Sequence, residues 1–121
     1  MREIKFRGYN GEKWLFGNLE INYKTKQACI SDNGFWRRPV RFDTVGQFTG
    51  LTDSTGKEIY EGDIIKTQKS EIGIIVWEND LCGFRARLAD NSFYILTVFF
   101  ASMFSVIGNI HDNPELLEAQ A

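Results

Sequence analysis

Residues 45–66 constrain the fold of this chain more than any other stretch. They contain four glycines and no proline, and two strand-like runs flank a turn of the sequence Asp-Ser-Thr-Gly at positions 53–56. Glycine permits backbone conformations with positive φ, so a strand that contains several glycines can bend or corner sharply. The pattern therefore predicts two strands joined by a tight turn and bent at the glycines.

The residue composition favours β structure in the rest of the chain as well. Aromatic residues make up 14% of the 121 residues, and aromatics are enriched in strands. Eleven glycines against two prolines indicate tight turns rather than proline-rich linkers. We expect a mostly β protein of one domain over residues 1–121, with a subdivision into 1–42 and 43–121 as an alternative description.

Strand patterns define the two ends of the predicted fold. Residues 1–42 contain short alternating runs separated by turn residues, which predicts a β-meander with Ile4 and Phe6 facing a core and Lys5 and Arg7 facing water. Pro39 places its own segment at a sheet edge, because proline cannot donate a hydrogen bond to a neighbouring strand. Residues 93–104 fit either a strand or a short helix, with strand favoured over 93–96.

Nine residues carry predicted structural roles. Asp63 after Gly62 suits a corner where the carboxylate accepts backbone N–H groups, and Asp53 is expected to cap its own turn. Asn113 is expected to cap a short C-terminal helix, with Pro114 at its first position. Gly108 is predicted to form a bulge. The full set is Gly46, Gly50, Asp53, Gly56, Gly62, Asp63, Gly108, Asn113 and Pro114.

These motifs together resemble the YopX family, small proteins encoded by phages and prophages. The resemblance rests on the start at residues 1–7, the motif at 45–57, its continuation at 59–65, and the ending at 106–117. It implies a phage or prophage origin and a β-rich fold with a small barrel, and it brings no catalytic residues. We therefore expect a small SH3-like barrel over about 45–110, an N-terminal β-meander packed on it, and a short C-terminal helix.

The sequence offers little to support an enzyme. An alternative interpretation is a carboxylate site formed by Asp53, Glu58, Glu61 and Asp63, but clustered surface acids need desolvation or a metal to become reactive. His111 is the only histidine, whereas metal sites and acid–base pairs usually need more than one such group. We expect a non-enzymatic protein without a metal or another cofactor.

The remaining compositional signals concern the compartment. Cys29 and Cys82 match no zinc signature and are expected to be buried, reduced thiols. The chain shows neither a signal peptide nor a convincing membrane span, so a location in the host cytoplasm without membrane attachment is expected.

Residues 35–42 form the most distinctive local feature, because arginines there alternate with aromatic residues. Aromatic rings can stack on bases while arginines contact phosphates, so Phe35, Trp36, Arg37, Arg38 and Arg41 are candidates for binding single-stranded or duplex nucleic acid. Lys5 and Arg7 extend this candidate surface if the first strand lies alongside. The alternative is an edge strand whose charges prevent unwanted pairing. The net charge of −2 argues against a general attraction to nucleic acid but not against a local one.

A third hypothesis is an interaction or assembly module. Trp14, Phe16, Phe35 and Trp36 are candidates for an apolar face that self-associates, although such residues are more often core. The sequence places binding to an unidentified protein partner, or to a second copy, first. Nucleic-acid binding comes second and catalysis third.

Overall fold

The computed structural model describes residues 1–32 and 36–118. The chain divides into two compact units, Met1–Phe48 and Thr49–Ala121. The first unit contains four complete strands, a 3₁₀ turn and the start of a fifth strand: β1 Phe6–Tyr9, β2 Trp14–Asn22, β3 Gln27–Ser31, β4 Arg38–Val40, the 3₁₀ turn Phe42–Thr44, and β5 Gly46–Thr52.

The first unit is an antiparallel meander, as predicted. Its strands pair in the order β4-β3-β2-β1-β5, so β1 to β4 are neighbours in chain order and β5 pairs with β1. The chain after β4 returns to β1, where Arg41 N donates to Tyr9 O at 2.8 Å. Gly8 permits this return, because a Cβ at position 8 would lie 2.7 Å from the Val40 side chain. Pro39 lies in β4 at the edge, in agreement with its missing N–H group.

The second unit contains the rest of β5 and eight further elements: β6 Glu58–Tyr60, β7 Asp63–Lys66, β8 Ile72–Glu78, β9 Gly83–Leu88, β10 Phe93–Ile95, helix α1 Val98–Ala101, β11 Ser105–Asn109 and helix α2 Glu115–Glu118. β6 neighbours β5, and the other strands form an antiparallel sheet in the order β10-β9-β8-β7-β11.

A compact apolar core holds the second unit together. Six buried residues form one cluster, and Phe104 is its largest member at 1% exposure. Alternation along β8 and β9 supplies the inward residues Ile75 and Ala86, which are paired across the two strands. Burying side chains of this size is the main contribution to stability, at about 1.5–3 kcal/mol for each large one. The full cluster is Ile59, Ile65, Ile75, Ala86, Ala101 and Phe104.

The predicted barrel over residues 45–110 is wrong, because the sheets do not close. β10 and β11 stand at opposite ends of the sheet order, and neither pairs with the other. Helix α1 separates these two strands along the chain, and β5 begins by pairing with β1 rather than with a strand of this sheet. The prediction of a mostly β fold with a short C-terminal helix is confirmed.

Residues 93–104 contain both of the structures that their pattern allows. β10 covers Phe93–Ile95, and helix α1 follows after Thr97, whose side chain accepts from Phe100 N. The predicted bulge near Gly108 is confirmed, because the β11–β7 register shifts between Val106 and Gly108.

Four burial predictions are wrong, those for Ile4, Arg7, Cys29 and Cys82. Arg7 is only 7% exposed and Ile4 is 53% exposed, the reverse of the predicted faces. The reason is that β1 lies between β2 and β5, and Arg7 is placed over the Trp14 ring. Cys29 and Cys82 are free thiols, but neither is buried as predicted: Cys29 is half-buried, and Cys82 is exposed in the turn between β8 and β9.

Candidate functional site

Formal charge is divided unequally between the two units. The first unit has nine Lys and Arg against five Asp and Glu, a net charge of +4. The second has five Lys and Arg against eleven Asp and Glu, a net charge of −6. The overall charge of −2 therefore conceals a basic unit and an acidic one.

The aromatic and arginine residues near β4 are exposed in the first unit. Trp36 is 71% exposed, and Arg37, Arg38 and Arg41 are exposed as well. Phe35 lies outside the described residues. Trp36 and Arg37 precede the edge strand β4, Arg38 lies in it, and Arg41 follows it. The backbone therefore holds these exposed side chains at the margin of the sheet.

One of these arginines is partly neutralised. Arg37 donates from one terminal nitrogen to both carboxylate oxygens of Glu20, at 2.8 and 2.9 Å. This hydrogen bond and the charge attraction of Glu20 raise the pKa of Arg37 above its ordinary value. Both partners are exposed, so the pair competes with water and with any anionic ligand.

A series of cation–aromatic contacts runs through the same unit. The Arg41 guanidinium lies 5.5 Å from the centroid of the Tyr9 ring, and the Tyr9 and Trp14 rings are 5.4 Å apart. The series continues with Arg7, whose guanidinium lies 4.9 Å from the centroid of the Trp14 ring. Arg7 is buried against Trp14, so its guanidinium lies apart from the exposed arginines near β4. Lys5 is half-buried and stands 5.0 Å from the Phe48 ring.

Sequence reasoning missed a second group of this kind. Lys26 Nζ lies 5.0 Å from the Phe42 ring, and Tyr23 meets the same ring edge-on at 6.3 Å. Tyr23 is 70% exposed, and Lys24 is exposed beside it. The β2–β3 turn brings these residues to Phe42, a contact that no spacing in the sequence indicates.

The acidic residues of the central motif bind backbone groups. Asp53 is 6% exposed and accepts from Thr55 N and Lys57 N through Oδ1, and from Val106 N through Oδ2, at 2.8–2.9 Å. Burial would raise the pKa of Asp53, but the hydrogen bonds from Val106, Thr55 and Lys57 together hold it below its usual value. Asp63 is 2% exposed and accepts from Tyr60 N at 2.7 Å.

The structure therefore places Asp53 and Asp63 as backbone anchors. Asp53 ties its own turn to β11, and Asp63 ties the corner before β7 to the end of β6. Glu58 accepts from the Tyr60 hydroxyl at 3.3 Å. Within the described parts of the chain, no group of three or more His, Cys, Asp and Glu side chains is arranged to hold a metal ion.

The glycines of the central motif lie at turns and pairing positions. Gly50, Gly56 and Gly62 have φ values of +88°, +89° and +92°, which other residues rarely adopt. Gly62 precedes the Asp63 corner, and its N–H donates to Ile75 O at 2.8 Å. Gly46 is buried and pairs with Arg7.

The residues near the C-terminus support one another rather than a ligand. The Asn113 side chain accepts from Asn109 N at 3.2 Å, a contact with the end of β11 instead of the predicted cap on the helix. It packs on Gly108, where a Cβ would lie 2.5 Å from Asn113 Oδ1. Pro114 precedes helix α2 directly.

The candidates for self-association lie in different environments. Phe16 is 48% exposed, whereas Trp14 is half-buried between Tyr9 and Arg7. A further group of exposed apolar side chains lies in the second unit, on edge strand β10 and helix α1, and was not among the predicted candidates. We call it the β10–α1 surface: Phe93 at 47%, Ile95 at 46%, Val98 at 73% and Phe99 at 66% exposure.

Comparisons with known proteins identify the fold and the family but no activity. A family model described as "YopX protein" matches residues 5–118. The crystal structure of protein EF1440 from Enterococcus faecalis is similar, with a TM-score of 0.62 and 23% identity over 97% of this chain and 99% of that one. No curated protein matches. No helix in the described ranges, 1–32 and 36–118, is both long and apolar enough to cross a membrane.

Proposed function

The chain belongs to the YopX family, and we propose that it is a non-enzymatic phage or prophage accessory protein whose first unit binds single-stranded nucleic acid. The observation that carries this proposal is the net charge of +4 on residues 1–48, beside −6 on the remainder. This division of charge supports nucleic acid as the ligand, whereas the sequence placed a protein partner or a second copy first and nucleic acid second.

Charge alone would attract any polyanion, so the aromatic residues define the ligand further. Trp36 and Tyr23 expose about 70% of their surfaces, at 71% and 70%, within the basic unit. Stacking of a base on an aromatic ring contributes about 1–3 kcal/mol and requires an unpaired base. A single strand can use these rings, whereas a duplex would present only its backbone to them.

Two cationic groups contact phosphates in this proposal. Arg37, Arg38 and Arg41 form the first, and Lys24 and Lys26 on the β2–β3 turn form the second. Arg7 supports the rings from the buried side and does not contact the ligand. Because phosphate contacts release counterions, binding must weaken steeply as salt is added.

The test uses the full chain and a labelled single-stranded DNA of about 16 nucleotides. Fluorescence anisotropy is measured between about 50 and 200 mM salt. The triple variant Arg37→Gln, Arg38→Gln and Arg41→Gln should bind at least about tenfold more weakly, with a salt slope lower by about 2.

A matched control removes three exposed lysines from the second unit: Lys57→Gln, Lys66→Gln and Lys69→Gln. It changes the net charge equally and should leave the affinity within about twofold. Equal losses in both triple variants, or no binding by the wild-type chain at low salt, would remove the proposal.

A second candidate function is self-assembly through the β10–α1 surface. β10 ends its sheet, so its outer edge can pair with a strand of another copy, and four exposed apolar side chains accompany that edge. This function predicts a mass above 13.9 kDa in light scattering at micromolar concentration. Ile95→Lys should return the chain to a monomer, and a wild-type monomer throughout that range would exclude the candidate.

A further inference from the structure

The second unit contains a cavity that neither the family nor the proposed function explains. Its volume is about 180 Å³, and it lies between β10, the segment around α1, and the turn after β7. An apolar cavity of about 150 Å³ accommodates benzene in other proteins, so this one has the size for a single ring.

Three of the seven residues that line the cavity are aromatic. The Tyr94 ring is 5.1 Å from Phe100 at 52°, and 5.8 Å from Phe104 at 66°. Met103 adds a thioether, which also packs favourably against rings. A flat apolar group is the ligand that these tilted faces fit best.

Hydrogen bonds fix the polar side of the cavity. The Tyr94 hydroxyl donates to Glu71 Oε1 at 2.7 Å, and the Thr67 hydroxyl donates to the same oxygen at 3.0 Å. The hydrogen bond to Glu71, together with burial, raises the pKa of Tyr94, so the hydroxyl stays protonated. Both hydrogen bonds hold these two side chains against Glu71.

One lysine is among the residues that line the cavity. Lys69 lines the cavity from the turn after β7, where its N–H donates to the Thr67 hydroxyl oxygen at 3.2 Å. Glu71 is outside the lining, and its Oε1 accepts from Tyr94 and Thr67. Lys69 is the one residue with a formal charge among the seven that line the cavity, so the lining favours a ring that carries an anionic group over one that carries a cation.

We propose that this cavity, lined by Lys69, Tyr94, Phe100, Met103 and Phe104, binds a single aromatic ring that carries a carboxylate. Two sources have this chemistry: a free aromatic acid, and the C-terminal aromatic residue of a polypeptide. The site belongs to the second unit and is independent of nucleic-acid binding by the first.

The test follows amide resonances of Lys69, Tyr94 and Phe100 in the full chain by two-dimensional NMR. Phenylacetate should shift them with a Kd of about 1 mM. Phenylacetamide should bind about fivefold more weakly, because it lacks the charge that attracts Lys69. Equal binding of the acid and the amide, stronger binding of tetramethylammonium, or no shift at about 20 mM phenylacetate would overturn the proposal.

Two variants test separately the charge of Lys69 and the space that the ring would fill. Lys69→Gln should remove the difference between acid and amide, whereas Lys66→Gln, on an exposed lysine outside the cavity, should preserve it. Met103→Phe should fill the space and weaken both probes. Unchanged binding in both Lys69→Gln and Met103→Phe would also overturn the assignment.

The tripeptide Gly-Gly-Phe with a free carboxylate distinguishes the two sources. Tighter binding of the tripeptide than of phenylacetate assigns the site to a polypeptide C-terminus. Tighter binding of phenylacetate assigns it to a free acid.

Discussion

The two units of this chain differ both in what they bury and in what they expose. The second unit buries an apolar cluster around Phe104, exposes an apolar edge at β10 and α1, and has a net charge of −6. The first unit has a net charge of +4 and places cations over the rings of Tyr9, Trp14 and Phe42. The composition of the whole chain does not show these differences in charge and exposure. The function of such a chain therefore has to be argued for each unit separately.

The largest expected effect tests whether the second unit depends on its apolar core. Phe104→Ala should lower the free energy of unfolding by about 3–5 kcal/mol, because it leaves a cavity at a residue that is 1% exposed. Phe93→Ala is the matched control, since the Phe93 ring is 47% exposed and should cost less than about 1 kcal/mol. Urea denaturation measures both. Equal costs would mean that the cluster is not the source of stability.

A glycine substitution tests the packing of the first unit. A Cβ at Gly17 would overlap the backbone oxygen of Ser31, so Gly17→Ala should destabilise by at least about 2 kcal/mol. A Cβ at Gly56 would meet open space, so Gly56→Ala has only the cost of the positive φ. That cost is about 1 kcal/mol of folding free energy. Thermal unfolding should rank the two variants in this order, and the reverse ranking would contradict the β2–β3 geometry.

Asp53 gives the second unit a pH-dependent contribution. Its folded-state pKa is lowered, so the stabilisation is complete above the unfolded pKa of about 3.9 and is lost as pH falls through the folded value. Asp53→Asn should cost about 1–3 kcal/mol at neutral pH, and this cost should shrink below about pH 3.9. Urea denaturation of both proteins across that range measures the difference. A cost independent of pH would show that the carboxylate charge is not what binds the backbone.

The smallest expected effect concerns Glu20, which neutralises Arg37 in the basic unit. Glu20→Gln should free the guanidinium and tighten oligonucleotide binding by roughly twofold to threefold at low salt. Glu12→Gln removes the same charge from the unit without touching Arg37, so it should give a smaller gain. If the two gains are equal in the anisotropy measurement, Arg37 is not a contact residue.

The sequence predicted those features of the fold that depend on local chemistry. Alternation predicted the N-terminal meander, the missing N–H of Pro39 predicted an edge, and the irregularity at Gly108 was expected from the glycine itself. Closure of a sheet depends on which distant strands pair, and β10 and β11 are separated along the chain by helix α1. Local patterns contain no information about that pairing, so the predicted barrel failed.

The candidate site shows the same division between local and distant information. Exposure of Trp36 and the arginines near it follows from their place beside an edge strand, which the sequence indicates. The burial of Arg7 depends on Trp14 and on the strands on both sides of β1. The contact of Lys26 with Phe42 joins the β2–β3 turn to the 3₁₀ turn after β4. The charge division was present in the sequence but became visible only when the boundary after Phe48 was known.

The central claim is that the basic first unit, and not the acidic second unit, contacts nucleic acid. Amide chemical shifts of the full chain, recorded during titration with a single-stranded oligonucleotide at low salt, test it most directly. The account predicts shifts concentrated within residues 1–48, around the β2–β3 turn and β4. Shifts confined to residues 49–118 would contradict it.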